Sequence, residues 1–317
     1  MLFFNMMNEK RVGGYMYKVS NTILLKSLVA SSLLLSGCAI AEETTSTSPY
    51  TPVQDYDGKA FALPNGEEMS QFAKSHRKEV SAAALNYLKT KYKLQNTKVT
   101  NLVGAQNAVV AHVSSDDLPT FYTSVIVFVR DGKISDVSEV EGKVEGSIMS
   151  VLYVKAYEKE FQNLGKFCKK MTEKYPVVGM RQDAIENVFE MGVVRPNYYV
   201  SITDLSAPSA FKLYKKNHNS SSEQLRREIE KELKVSEPQI TLTFFIKKRF
   251  SDPDKQLGQK LISNFKQYGS FPPGLYAFFL NSNEILKDSG IGKSHKGTDV
   301  GKDEIQINLK GQMLYEY

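Results

Sequence analysis

Residues 121–140 read FYTSVIVFVRDGKISDVSEV, and this stretch decides the fold. Phe121 to Arg130 and Lys133 to Val140 are strand-like runs. Asp131-Gly132 between them is a hairpin signal, because a two-residue loop of this kind needs positive φ, which Asp and Gly tolerate. Two further short runs, Lys98 to Val103 and Ala108 to Val113, precede them, which makes a four-stranded antiparallel meander. Upstream, Asn65-Gly66-Glu67-Glu68 opens a helix to about Lys91, with Met69, Phe72, His76, Val80, Ala83, Ala84, Tyr87 and Leu88 on one face. Downstream, a long helix is expected from about Glu145 to Lys174. Helix, meander and helix form an α+β unit in which helices cover one face of the sheet. Residues 54–178 make this first block.

A second mixed α/β block is expected over 179–317. Short helices at about Gln182 to Glu190 and at 207–216 lead to Ser222-Glu223, which opens a helix through Lys234. Ile240, Leu242, Phe244 and Ile246 alternate as in a half-buried strand. Asp252-Pro253 then gives an N-cap with proline in the first turn, Leu257, Leu261 and Phe265 make an apolar stripe, and Gly269 closes the helix. Leu275 to Leu280 and the alternating Ile305, Ile307 and Leu309 are further strands. Strand, helix, strand over about 40 residues allows a parallel crossover pair.

At the other end, Leu35-Ser36-Gly37-Cys38 closes an export signal. Lys10, Arg11 and Lys18 supply its positive region and Ser27 to Ser36 its apolar core. That core is about half the roughly 20 residues needed to span a bilayer, so it reads as a cleaved signal over 1–37 and not as a permanent anchor. Met16 opens a signal of ordinary proportions and is a candidate true start. Cleavage between Gly37 and Cys38 leaves a cysteine that takes S-diacylglycerol and an N-acyl chain. Residues 38–53 then form a Ser/Thr/Pro-rich flexible tether, too polar to bury itself, with a reach of about 20 Å on average and about 50 Å at full stretch.

Composition agrees with this address. About 264 residues follow the tether, near the size at which one core gives way to two. The net charge of +6 falls to +3 when Lys10, Arg11, Lys18 and Lys26 leave together with Glu9. That excess is no nucleic-acid footprint, though it suits a surface facing anionic lipid. Cys38 is consumed by lipid, so Cys168 has no partner for a disulfide. Phe161, Leu164, Cys168, Met171 and Tyr175 lie at helical spacing, which makes Cys168 a buried thiol.

The chemical motifs are weak. Gly292-Lys293-Ser294 copies the end of a phosphate-binding loop, but the required first glycine is Lys287, inside a glycine-rich loop at 287–302. Ser209-Ala210-Phe211-Lys212 matches the Ser-x-x-Lys of penicillin-recognising enzymes, with Lys296-Gly297-Thr298 downstream; Ser75 to Lys78 and Ser263 to Lys266 match equally well, which shows how cheap the pattern is. His76, His112, His218 and His295 have no metal-ligand spacing, so no metal or cofactor is expected. Asp116-Asp117 reads as a turn, Glu139, Glu141 and Glu145 as the solvent side of a strand leading into a helix, where two of them could sit opposite a cation though simple solvation is favoured, and Tyr198-Tyr199 as the aromatic pair to inspect, with a strand or core role favoured.

Val53-Gln54-Asp55-Tyr56-Asp57-Gly58-Lys59, Phe72-Ala73-Lys74-Ser75-His76, Phe121-Tyr122-Thr123 and Val144-Glu145-Gly146, taken with the Leu-Ser-Gly-Cys signal, carry a resemblance over most of the chain. They resemble an uncharacterised family of Gram-positive membrane lipoproteins, defined only as a domain of unknown function. The resemblance implies lipid on Cys38 and supplies no activity. The expected role is a non-catalytic lipoprotein on the outer face of the cytoplasmic membrane, bound to the membrane through Cys38 and to an envelope protein or small ligand. A solute-binding lipoprotein of a transporter is the alternative, and an extracytoplasmic enzyme comes third.

Overall fold

The computed structural model describes residues 48–202, 209–232, 238–288, 305–308 and 312–315; the signal, Cys38 and the tether up to residue 47 lie outside them. The end of the expected tether is part of the fold. Tyr50–Pro52 form strand β1, paired antiparallel with residues 284–286, and Val53 is fully buried. This corrects the expected boundary at residue 53: the surface that covers these residues comes from more than 200 positions along the chain, out of reach of local composition.

The helix expected from Glu67 forms in two pieces, α1 (Glu67–Ser75) and α2 (Arg77–Tyr92). They break at His76 (φ −112°, ψ 27°), whose ring stacks on Phe72 at 4.2 Å. Met69, Ala73, Val80, Ala84 and Leu88 face the core. The meander follows as β2 (Thr97–Ala105), β3 (Ala108–Ser115), β4 (Phe121–Arg130) and β5 (Lys133–Ser138), all antiparallel and in that order. Arg130 pairs with Lys133 across Asp131 and Gly132, whose φ values of 52° and 69° are those the two-residue turn demands. The long helix also breaks, at Tyr157, into α3 (Lys143–Ala156) and α4 (Glu158–Lys174). Helix α3 is buried on nearly every side. Its buried Ser147 and Ser150 hydroxyls donate back to Lys143 and Gly146 carbonyls at 2.8 Å, which satisfies them inside the core.

The rest of the chain builds a second, seven-stranded sheet and, in residues 284–286, the strand that pairs with β1. Its elements are β6 (Val177–Val178), α5 (Gln182–Val188), β7 (Val193–Arg195), β8 (Tyr198–Ser201), α6 (Ser209–Lys216), α7 (Ser222–Glu232), β9 (Gln239–Ile246), α8 (Lys255–Tyr268), β10 (Gly274–Asn281), β11 (Glu284–Leu286), β12 (Ile305–Ile307) and β13 (Met313–Tyr315). Strand order is β13-β12-β10-β9-β8-β7, with β6 on β9. The expected crossover forms: β9 and β10 run parallel on either side of α8, from Leu275 opposite Gln239 to Asn281 opposite Phe245. Helix α8 is capped by Asp254, not Asp252; the Asp254 carboxylate accepts from the Gln256 amide at 2.8 Å, which puts the first turn two residues later than expected. The loop expected at 287–302 lies outside the described residues from 289 on.

One apolar cluster runs through both blocks, from Met69 and Val125 through Ile148 and Phe161 to Leu242 and Phe278. Between α4 and α8, Phe167 packs edge-on to Phe265 and Phe271, whose rings stack at 4.2 Å. Each such ring, fully buried, stabilises the fold by about 1.5–3 kcal/mol. A smaller cluster lies on the far side of both sheets, where Val53, Tyr56, Met180, Ile185 and Val188 meet Tyr122 of β4 and Phe245 of β9. The meander is therefore covered on both faces, by α1 and α2 on one and by α5 with residues 53–61 on the other. This is a mixed α+β fold.

Candidate functional site

Covering the second face of the meander buries a group that strand alternation would have left in water. His112 lies on β3 opposite Ser124 of β4 and Asn101 of β2, and it is 1% exposed. Neither of its ring nitrogens has a hydrogen-bond partner among the described residues. Phe61 covers the ring at 5.8 Å between centroids. From the end of α5, Glu190 brings a carboxylate to 4.0 Å from His112 Nε2. Ser124 Oγ donates to the same carboxylate at 3.0 Å, and Lys143 Nζ pairs with its other oxygen at 3.0 Å while also donating to Ser124 Oγ at 3.2 Å.

The backbone explains how these groups meet. Gly192, two residues past Glu190, has φ +78°, and a Cβ there would stand 2.5 Å from the Val200 carbonyl, so only glycine fits. Its carbonyl accepts from the Tyr122 amide at 2.8 Å and its amide donates to Ser147 Oγ at 3.2 Å, which nails the Glu190 turn to β4 and α3. Lys143 opens α3, where the helix dipole disfavours a cation; the Glu190 carboxylate offsets this.

Electrostatics follow from the packing. Burial pushes the His112 imidazole down to about 4; Glu190 opposes the shift and Lys143 adds to it. Burial works to raise the Glu190 carboxyl, but the charge of Lys143 and the hydrogen bonds from Lys143 and Ser124 hold it below its ordinary value, with His112 adding to this only when protonated. The result is a neutral histidine beside an ion pair. Ser124 gives its proton to Glu190 and is itself buried, so this trio does not place a base on an accessible nucleophile. What the arrangement does is fasten α5 and the start of α3 to the meander.

The residues singled out by sequence fall elsewhere. Cys168 is buried in α4, and burial pushes its thiol well above the usual range. Tyr198 is a core residue of β8 with its hydroxyl pushed up to about 12 by burial, and Tyr199 is half-buried beside the second cluster. Asp117 closes a turn, accepting from the backbone amides of Gln95 and Asn96 at 2.8 and 3.1 Å. Glu141 and Glu145 are exposed, but Glu139 corrects the expectation. Its side chain is 6% exposed and accepts from Lys91 at 2.6 Å, from Tyr87 at 3.2 Å, from Tyr92, and from the Val144 amide at 3.2 Å, because the end of α2 converges on the turn into α3.

Lys212, Lys78 and Lys266 are exposed, Ser75 donates to its own helix carbonyls, and His218 packs on Tyr214 at 4.4 Å. Cys38, Gly37, Gly292 to Ser294, His295 and Lys296 to Thr298 lie outside the described residues. Among the described residues no group of three or more His, Cys, Asp and Glu could hold a metal ion, and no helix is long and apolar enough to cross a membrane. An open depression of about 600 Å³ lies at the hairpin tips by Asn107, Phe128 and Asp131, and a packing gap of about 10 Å³ lies between α8 and β10. Sequence reading missed the His112 cluster; its one signal was a histidine at a polar position of an otherwise apolar strand.

The fold and this cluster define an α+β protein in which a meander, covered on both faces, is joined to a mixed sheet through a buried helix. The chain belongs to the DUF1672 family, described as a protein of unknown function, whose match covers residues 43–308. It is similar to a DUF1672 family protein from Staphylococcus aureus subsp. aureus Mu50, known from a crystal structure, with a TM-score of 0.66 and 20% identity over 78% of this chain and 95% of that one. At that identity the likeness is one of fold. No match is found among the curated proteins.

Proposed function

We propose that this protein is a lipoprotein held at the outer face of the cytoplasmic membrane by S-diacylglycerol and an N-acyl chain on Cys38, and that its body acts there by binding, not by catalysis. The observation that carries the reading is Leu35-Ser36-Gly37-Cys38 at the end of a short apolar run behind Lys10, Arg11 and Lys18. One acyl chain holds a protein only marginally, but each further buried methylene adds about 0.8 kcal/mol, so three chains hold it almost permanently. The buried Cys168 supports the reading, since it leaves Cys38 as the cysteine open to modification. The described fold starts ten residues after Cys38, which keeps the body close to the bilayer.

The transporter alternative calls for two similar lobes about a cleft. A four-stranded antiparallel sheet beside a seven-stranded mixed one gives it no support. The test is a crosslinked pull-down from membranes with wild type and Cys38→Ala. A specific set of envelope proteins that is lost with the lipid supports the proposal; background alone from the lipidated protein contradicts the binding role.

A further inference from the structure

The loop between β9 and α8 carries Lys247, Lys248, Arg249 and Phe250, all exposed. Phe250 is 67% exposed, against 37% for Phe128, and its φ is +54°. A bulky residue in the left-handed region is strained, and a phenyl ring in water gains little from the core. Neither cost is offset within the described fold, which turns attention to something outside the chain.

The loop is fastened beside the N-terminal end of the fold. Gln54 Nε2 donates to the Lys247 carbonyl at 2.8 Å, Asp55 pairs with Arg249 at 3.0 Å, and Asn283 Nδ2 donates to the Ile246 carbonyl at 2.6 Å. Pro49, whose carbonyl accepts from Lys287, is five residues before Gln54, no more than about 17 Å away. From Pro49 back to Cys38 is eleven residues, no more than about 37 Å of chain. Phe250 thus stands near the point at which the tether leaves the body. Asp55 neutralises Arg249, Asp254 is committed to the cap of α8 and Asp252 is exposed in the same loop, while Lys247 and Lys248 are cations of the tip with no ion pair among the described residues.

Resting on lipidation of Cys38, the geometry points to this loop as a second membrane contact: Phe250 enters the interfacial layer of an anionic phospholipid bilayer while Lys247 and Lys248 engage its phosphates. Aromatic rings favour that layer, and lysines bury their stems while keeping the ammonium at the headgroups. The contact is weak alone, and the tether raises its effective concentration to the millimolar range. Two attachment points fix which face of the body looks outward.

The chain has no tryptophan, so Phe250→Trp is a unique reporter. A chain from residue 38 with Cys38→Ser lacks lipid and keeps every described residue. Mixed with vesicles of phosphatidylglycerol and phosphatidylcholine at millimolar accessible lipid, the level the tether would supply, its emission shifts to the blue and is quenched by brominated acyl chains. Changing Lys247 or Lys248 to Gln lowers the partition constant about fivefold each. Phe128→Trp, in place of Phe250→Trp, stays unshifted. Emission unchanged by anionic vesicles, an equal shift on pure phosphatidylcholine, or an equal shift from Phe128→Trp overturns the proposal. Fatty-acid labelling of Cys38 in cells is the separate arm. Label without vesicle response removes the loop contact alone, whereas vesicle response without label removes the anchor alone.

Discussion

Acid should weaken this protein through His112. In the unfolded chain its imidazole takes a proton near pH 6.5; in the fold, burial holds it neutral down to about 4, with Glu190 opposing and Lys143 adding to the shift. The gap of about 2.5 pH units corresponds to about 3 kcal/mol. Between those two values the unfolded state binds the extra proton, so the stabilising contribution is complete above pH 6.5. It falls by up to about 1.4 kcal/mol per pH unit below that and is gone near pH 4. The carboxyl of Glu190 is held low, so its own contribution starts to fall only as pH drops below the ordinary carboxylate value. Urea unfolding from pH 7.5 to 4.5 on wild type and His112→Leu isolates the effect, because the difference between the two chains removes the titrations not coupled to His112. Wild type should lose about 2.5 kcal/mol more than the variant over that range, or about 5–10 °C in Tm. Parallel pH profiles for the two chains would refute the reasoning.

Glu139→Ala should cost about 3 kcal/mol in chemical denaturation, since it strips a buried carboxylate from Lys91, two tyrosine hydroxyls and a helix amide, while Glu139→Gln should cost less. Gly104→Ala should destabilise by about 3 kcal/mol, because the new Cβ would stand 2.1 Å from the Gly66 carbonyl where α1 meets β2; a melt within 1 °C of wild type would contradict this contact. Cys168 should resist Ellman's reagent in the native protein and react once urea unfolds it, and rapid native labelling would show the thiol to be exposed.

The main elements were legible where their signals are local. Asp131-Gly132 fixed one hairpin, the alternation of Ile240, Leu242, Phe244 and Ile246 fixed a central strand, and the Leu257, Leu261 and Phe265 stripe fixed the helix between the parallel strands. What escaped depends on distant partners. No proline or glycine stands within seven residues of the breaks at His76 and Tyr157, and only packing onto the sheet shows them. Strands β7 and β8 are three and four residues long, too short for alternation to register. Strand β1 exists because β11 offers it an edge. Glu139 was placed toward solvent, and His112 gave only its lack of metal-ligand spacing; antiparallel strands commonly keep one wet face. Here α5 and Phe61 close over His112, and the end of α2 closes over Glu139. Lys143 and Glu190 gave no sign of meeting, since they lie on a helix start and a loop 47 residues apart.

The most direct test of the account is the chemical state of Cys38 in cells. Metabolic labelling with an alkynyl fatty acid, followed by mass spectrometry of the N-terminal peptide, should find a mature chain that begins at Cys38 with S-diacylglycerol and an N-acyl group. The label and the membrane-fraction protein should both be lost in Cys38→Ala. A wild-type chain with an unmodified Cys38, or one that begins elsewhere, would contradict the membrane anchor on which the proposed function stands.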